Sequence, residues 1–124
     1  VTVTLRKSYG GAHDVMSSKQ LRGDFNYAWP TAQIAVMGAK GAVEVLYGKE
    51  MSAITDPEAK AKFVADKENE YNNAFANPYK AASYGYIDDV IEPRNTRFRV
   101  IRAFQSLQTK RVTNPMKKHS NIPL

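Results

Sequence analysis

Two glycines sit where an alternating segment gives way to a helix-like one, in the run Arg6-Lys7-Ser8-Tyr9-Gly10-Gly11-Ala12-His13-Asp14-Val15-Met16. Residues this small leave backbone N–H groups bare at the junction. At a helix start such groups can hold an anion or a developing oxyanion. The chemistry on offer is therefore backbone chemistry, with the N–H groups of Gly11 and Ala12 as candidate donors. A tight turn that needs a positive φ accounts for the same glycines, and both readings stand on these residues alone.

Side-chain catalysts are scarce. The two histidines, His13 and His119, are far apart, and neither has metal-ligand spacing. No Gly-x-Ser-x-Gly or Walker loop occurs. Asp88-Asp89 is the one adjacent carboxylate pair on an expected strand. Neighbouring strand residues point to opposite faces, so the pair reads as a solvated strand end with one capping carboxylate. Gly38-Ala39-Lys40-Gly41 is a second strand-to-helix junction and reads as close packing. Trp29-Pro30 reads as an apolar corner.

These residues must be positioned by short alternating elements. Val1, Val3 and Leu5 alternate with Thr2 and Thr4, which predicts a strand over Val1–Leu5. Ser8–Gly11 form the turn and Ala12–Ser18 a short helix. Gly23-Asp24 breaks it, and Phe25–Trp29 form a second strand, ended by Pro30, which lacks a donor. Ala32–Met37 is apolar enough to predict a third strand buried on both faces. A helix follows over Ala39–Tyr47, with Ala42, Val43 and Leu46 on one face. Asp56 caps a charged surface helix that begins at Pro57 and runs to about Phe75. Asn77-Pro78 starts a short helix ending at Gly85, a left-handed cap. Tyr86–Ile91 form a strand. Pro93 and Asn95 open a last helix, to about Gln108, with Phe98, Ile101 and Phe104 on its core face. Residues 109–124 form a basic, extended tail. Strands and helices in alternation predict an α/β fold.

Composition narrows the function classes. Apolar residues make up 43% and charged residues 24% of 124, as in an ordinary globular domain. Cysteine is absent, which excludes disulfides, zinc–thiolate sites and thiol nucleophiles from these residues. No apolar run reaches a bilayer-spanning length. The net charge of +6 is spread over Arg97, Arg99 and Arg102 and over Lys110, Arg111, Lys117 and Lys118. Without an accompanying nucleic-acid motif, this pattern suits solvated faces and subunit contacts better than nucleic acid. A strand at Val1 with no lead-in suggests a piece of a longer polypeptide.

Four stretches together carry a family resemblance. They are Arg6-Lys7-x-Tyr9-Gly10-Gly11-Ala12-x-Asp14-Val15-Met16, Tyr27-Ala28-Trp29-Pro30-Thr31-Ala32-x-Ile34-Ala35-Val36-Met37-Gly38-Ala39, Asn77-Pro78-Tyr79 and Lys118-His119-x-Asn121-Ile122-Pro123-Leu124. The chain resembles the end of biotin-dependent acyl-CoA carboxylase carboxyltransferase subunits, most of all the β subunits of propionyl-CoA carboxylases. The resemblance spans essentially the whole chain. It implies a crotonase-like α/β fold, with residues 1–124 as the C-terminal part of the carboxyltransferase C-domain.

The implied reaction moves a carboxyl group from carboxybiotin to the α-carbon of an acyl-CoA, propionyl-CoA being favoured. Biotin, carried on a partner domain or subunit, then serves as the base, and no metal is implied. Carried over by position, Gly11 and Ala12 would form the backbone oxyanion hole for biotin, and Gly10, His13 and Asp14 would line the substrate site. Asp14 stands where the family shapes its acyl pocket. His13 stands where a tyrosine is common and reads as a change in the wall rather than a new catalyst. Expected partners are acyl-CoA, the biotin carboxyl carrier, the biotin carboxylase subunit and further copies in a hexamer, with neither nucleic acid nor a membrane, in a bacterial cytoplasm. Two alternatives stay open: the α subunit of a methylmalonyl-CoA decarboxylase, running the transfer the other way, and a non-catalytic assembly or anion-binding module.

Overall fold

A computed structural model describes residues 1–113. The elements are short and follow one another as strand, strand, helix. The first set is β1 (Thr2–Thr4), β2 (Lys7–Tyr9) and α1 (Gly10–Val15). The second is β3 (Asn26–Ala28), β4 (Gln33–Ala35) and α2 (Ala39–Ala53). Then come α3 (Pro57–Ala74), α4 (Pro78–Ser83), β5 (Asp89–Val90) and α5 (Thr96–Ser106).

The strands make two parallel sheets, one in the order β1-β3-β5 and one of β2 with β4. Thr2, Val3 and Thr4 lie opposite Asn26, Tyr27 and Ala28, while Lys7, Ser8 and Tyr9 lie opposite Gln33, Ile34 and Ala35. Parallel neighbours need long crossovers, and the helices between the strands supply them.

This pairing corrects the expected turn. Lys7–Tyr9 form a strand, and the helix starts at Gly10 and ends at Val15, rather than spanning Ala12–Ser18. The partner strand lies 26 residues downstream in the register Lys7↔Gln33, so local patterning could not reveal it. Gly10 alone makes the turn, with φ +53°.

Two small cores result. One joins Ala28, Ala32, Ile34, Ala81 and Ile87. The other joins Tyr27, Ile91 and Ala103, with Val1, Val3, Phe25 and Trp29 packed against it. Trp29 is a corner as expected: its indole N–H donates to Thr96 Oγ1 at 2.8 Å and ties β3 to the start of α5.

Three other expectations fail. The third strand is not buried on both faces: Ile34 is buried, but Val36 is 77% exposed. On α2 the buried residues are Ala42 and Val43, while Leu46 is exposed. On α5 only Ala103 is buried, and Phe98, Ile101 and Phe104 all face outward. In each case the described residues leave these apolar side chains uncovered. By contrast, the start of α3 is as read: Asp56 accepts hydrogen bonds from the N–H groups of Glu58 and Ala59. That helix buries no residue and leans on α2, where Tyr47 meets Phe63 edge-on.

Candidate functional site

Helix α1 begins directly after β2, and its N-cap residue Tyr9 offers no side-chain hydrogen bond to the first turn. The first N–H groups of a helix have no intrahelical partner. Gly11 and Ala12 lie in that turn and are exposed. A Cβ built on Gly11 would meet nothing within 4 Å, so the space over this peptide is open. Gly10 differs: its φ is positive, and a Cβ there would come within 2.9 Å of the Val36 carbonyl oxygen. The turn reading thus belongs to Gly10 and the accessible-backbone reading to Gly11.

Beside this turn lies a cavity of about 320 Å³ whose wall includes Gly10, His13 and Asp14. The structure brings these three together in one wall, while Gly11 and Ala12 stand at the turn next to it. Strand β4 contributes Ile34 and Ala35, followed by Val36. The lining also carries aromatic rings, Tyr71 and Phe75 from the end of α3 and Tyr84 and Tyr86 from beyond α4. Lys80 completes it, its ammonium 4.9 Å from the Tyr84 ring centroid. The Tyr71 hydroxyl donates to the Met37 carbonyl at 3.3 Å, which anchors α3 to the segment after β4. The site thus combines an open peptide edge, an apolar and aromatic wall, and one group of each charge, Asp14 and Lys80.

The aromatic residues and Lys80 were not foreseen, because they come from elements 60 to 75 residues downstream of the glycine turn. Ser8 was missed as well. Its Oγ lies 2.9 Å from His13 Nδ1, a contact across a strand-to-helix junction that follows no regular spacing.

The remaining charged candidates have structural partners. Asp88 accepts the Asn26 N–H at 2.7 Å and pairs with Lys19 at 2.8 Å. Asp89 pairs with Arg99 instead, so the two carboxylates serve different partners and do not form one site. Gly38 lies against the Tyr9 ring, where a Cβ would make an ordinary contact at 3.4 Å. The hydrogen bond from Lys110 holds the Asp24 carboxyl below the usual range, against a smaller opposing desolvation. Burial raises the Tyr27 phenol. No group of three or more metal-ligating side chains occurs among the described residues, and no described helix is long and apolar enough to cross a membrane. Lys118, His119 and Asn121–Leu124 lie outside the described residues.

Residues 1–122 match the family described as the carboxyl transferase domain. The chain belongs to that family. It is 60% identical over 124 residues to the propionyl-CoA carboxylase beta chain of Cereibacter sphaeroides, covering all of this chain and 23% of that one. It is 50% identical over 123 residues to the methylmalonyl-CoA carboxyltransferase 12S subunit of Propionibacterium freudenreichii, covering 99% of this chain and 23% of that one. It is 51% identical over 124 residues to the methylmalonyl-CoA decarboxylase subunit alpha of Propionigenium modestum, again covering 23% of the relative. The chain therefore spans about a quarter of the length of these relatives.

Among solved structures, a transcarboxylase 12S hexamer with methylmalonyl-coenzyme A and methylmalonic acid bound superposes with a TM-score of 0.84 at 49% identity, covering 98% of this chain and 23% of that one. The beta subunit of Pseudomonas aeruginosa geranyl-CoA carboxylase matches at a TM-score of 0.64 and 21% identity, over 92% of this chain and 25% of that one, a likeness of fold alone. The expected α/β, crotonase-like carboxyltransferase architecture is therefore the one this member has.

Proposed function

We propose that residues 1–124 form the C-terminal part of the C-domain of a longer carboxyltransferase subunit. That subunit transfers a carboxyl group from biotin to the α-carbon of an acyl-CoA, with propionyl-CoA as the favoured acceptor. The observation that carries the reading is the open, uncapped peptide edge at Gly11 and Ala12, beside a cavity walled by Gly10, His13 and Asp14, in a chain of this family.

Donors of this kind act on an oxygen that gains negative charge. Fixed N–H groups stabilise that charge without having to reorganise. Gly11 and Ala12 would hold the ureido oxygen of biotin, and the open space above Gly11 admits a planar ring close to the backbone. Gly10, lacking a Cβ, lets Val36 pack against the turn and fixes where the two N–H groups stand. Asp14 and His13 shape the wall on the substrate side, and the aromatic groups of the lining exclude water. When bound, biotin supplies the carboxyl group and the base that takes the α-proton. This accounts for a site with no paired side-chain acid and base.

The biotin would arrive on a carboxyl carrier loaded by a biotin carboxylase subunit, in the cytoplasm. Copies of the complete subunit would assemble as a hexamer, the assembly named for the transcarboxylase 12S structure. The outward-facing Phe98, Ile101 and Phe104 on α5 suit burial against the remainder of such a subunit, since an apolar face on one helix is ordinarily buried against a partner surface.

The site in this chain is one half of a two-part site. With free biotin and methylmalonyl-CoA or malonyl-CoA, the 124-residue chain is expected to show no transfer, and the complete subunit is expected to show it. Turnover by the chain alone would refute the half-site. A second reading, decarboxylation of methylmalonyl-CoA, is favoured by the 51% identity to the decarboxylase subunit alpha. A neighbouring gene for a membrane pump rather than a biotin carboxylase would select it.

A further inference from the structure

Helix α1 runs into a turn that is entered and left through costly backbone. Ser17 and Arg22 are both left-handed, with φ 66° and 63°, and neither is glycine. Such residues persist only where their surroundings over-determine them. Between them lies a single 3₁₀ turn, Lys19–Leu21. Gly23 closes the segment so tightly that a Cβ there would come within 2.2 Å of the Ser17 carbonyl oxygen.

Lys19 ties the middle of this turn to the rest of the fold. Its ammonium donates to the Asp24 carbonyl oxygen at 2.8 Å and pairs with Asp88 Oδ1 at 2.8 Å. The other Asp88 oxygen accepts the Asn26 N–H at 2.7 Å, so the carboxylate is itself fixed against β3. Charge-assisted bonds with two fixed partners at each end give the pair a defined geometry. Thr2 Oγ1, which donates to the Met16 and Ser17 carbonyls, and Lys110, which pairs with Asp24, hold only the two ends of the segment.

The turn carries part of the cavity wall. Asp14 stands just before it and accepts the Ser18 N–H on its carbonyl oxygen at 3.3 Å. Gln20 follows Lys19 directly. Asp14 and Gln20 both line the cavity beside the glycine turn, whereas Lys19 and Asp88 do not. The two lining residues therefore keep their relative places only while the turn between them keeps its left-handed path.

We propose that Lys19 and Asp88 are positioning residues for acyl selectivity. The ion pair sets the path of residues 16–23 and thereby where Asp14 and Gln20 stand, which sets the size of the acyl group the cavity takes. The inference rests on the carboxyltransferase reading for the class of ligand, an acyl-CoA.

The test uses the complete subunit, with propionyl-CoA and butyryl-CoA titrated separately by calorimetry and thermal unfolding recorded alongside. Lys19→Met keeps the length of the stem and removes the charge. Asp88→Asn is the milder change, since its amide oxygen still accepts from the Asn26 N–H, and it decides the matter if Lys19→Met does not fold. One methylene in an apolar pocket is worth ~10-fold or more in discrimination, so each variant should shift the ratio of the two affinities several-fold. Both together should shift it no further, because the residues act as one pair. Asp56→Ala, which removes a helix cap away from the turn, should leave the ratio unchanged.

A wild-type ratio in Asp88→Asn, effects of the two variants that multiply, or an equal shift in Asp56→Ala would overturn the proposal. Because the readout is binding, acyl-CoA affinity without carboxyl transfer in the wild-type subunit would remove the enzymatic reading while the ratios still decide the role of the pair. Absence of binding of either acyl-CoA by the wild-type subunit would overturn both.

Discussion

Gly10 and Gly11 are adjacent, yet substitution should damage the protein in opposite ways. At Gly11 an added side chain meets nothing within 4 Å, and in a helix valine is favoured over glycine by a few tenths of a kcal/mol. Gly11→Val should therefore leave the melting temperature within about 2 °C of wild type. Its side chain would fill the open space over the peptide edge and block access to the Gly11 and Ala12 N–H groups. Loss of one oxyanion donor typically costs ~10²–10³ in rate, or ~3–4 kcal/mol of transition-state stabilisation.

At Gly10 the arithmetic reverses. A left-handed backbone costs a non-glycine residue ~1–2 kcal/mol. The Cβ would also press on the Val36 carbonyl oxygen at 2.9 Å, inside normal contact. Gly10→Ala should therefore destabilise the fold by at least ~1–2 kcal/mol and lower the melting temperature clearly below that of Gly11→Val. The assay pairs thermal unfolding with carboxyl transfer between biotin and an acyl-CoA, both on the complete subunit. Wild-type transfer by Gly11→Val would refute the oxyanion assignment. A melting-temperature loss in Gly11→Val as large as in Gly10→Ala would refute the division of roles between the two glycines.

Three further outcomes test the fold. Asp56→Ala should cost ~1 kcal/mol in urea unfolding, because it removes the cap that accepts from the Glu58 and Ala59 N–H groups. Thr96→Val should cost ~1 kcal/mol by the same measurement, because it leaves the part-buried Trp29 indole N–H unpaired. Asp24 has a folded pKa below its ordinary value of 3.8, chiefly through its hydrogen bond to Lys110. The stability it contributes is present above that ordinary value and is lost as pH falls through the lower, folded one. Lys110→Met should therefore lower the urea midpoint at pH 7 and should have no effect at a pH below the folded pKa. An equal shift at both pH values would show that Lys110 acts by packing instead.

The sites of local chemistry were readable as sequence. Asp56-Pro57-Glu58 marked a helix start because capping needs only residues two or three positions apart. Gly85 marked a left-handed residue, with φ +75°, because only glycine adopts that conformation without strain. Gly10 marked a second left-handed residue, with φ +53°, and the motifs around it carried the family. The failures are equally local in origin. Ser8 and Tyr9 looked like part of a turn because the partner of their strand, Gln33–Ala35, lies across an intervening helix and strand. Phe98, Ile101 and Phe104 looked like a core face because periodicity records that a helix has an apolar side, not which molecule covers it.

From residue types and spacing alone follow the α/β alternation, the helix starts at Pro57 and Pro78 with their Asp56 and Asn77 caps, and the absence of a thiol or metal chemistry built on cysteine. These depend on neighbours a few residues apart, where the chain has no choice of partner. Only the folded chain could separate Gly10 from Gly11, since the distinction rests on Val36 standing behind one and open space before the other. Only the folded chain could bring Tyr71, Phe75, Lys80, Tyr84 and Tyr86 into one cavity with His13 and Asp14, or place Ser8 on the His13 ring. Those contacts are made by parallel strand pairing and helix docking over tens of residues, and no periodicity within a single element encodes them.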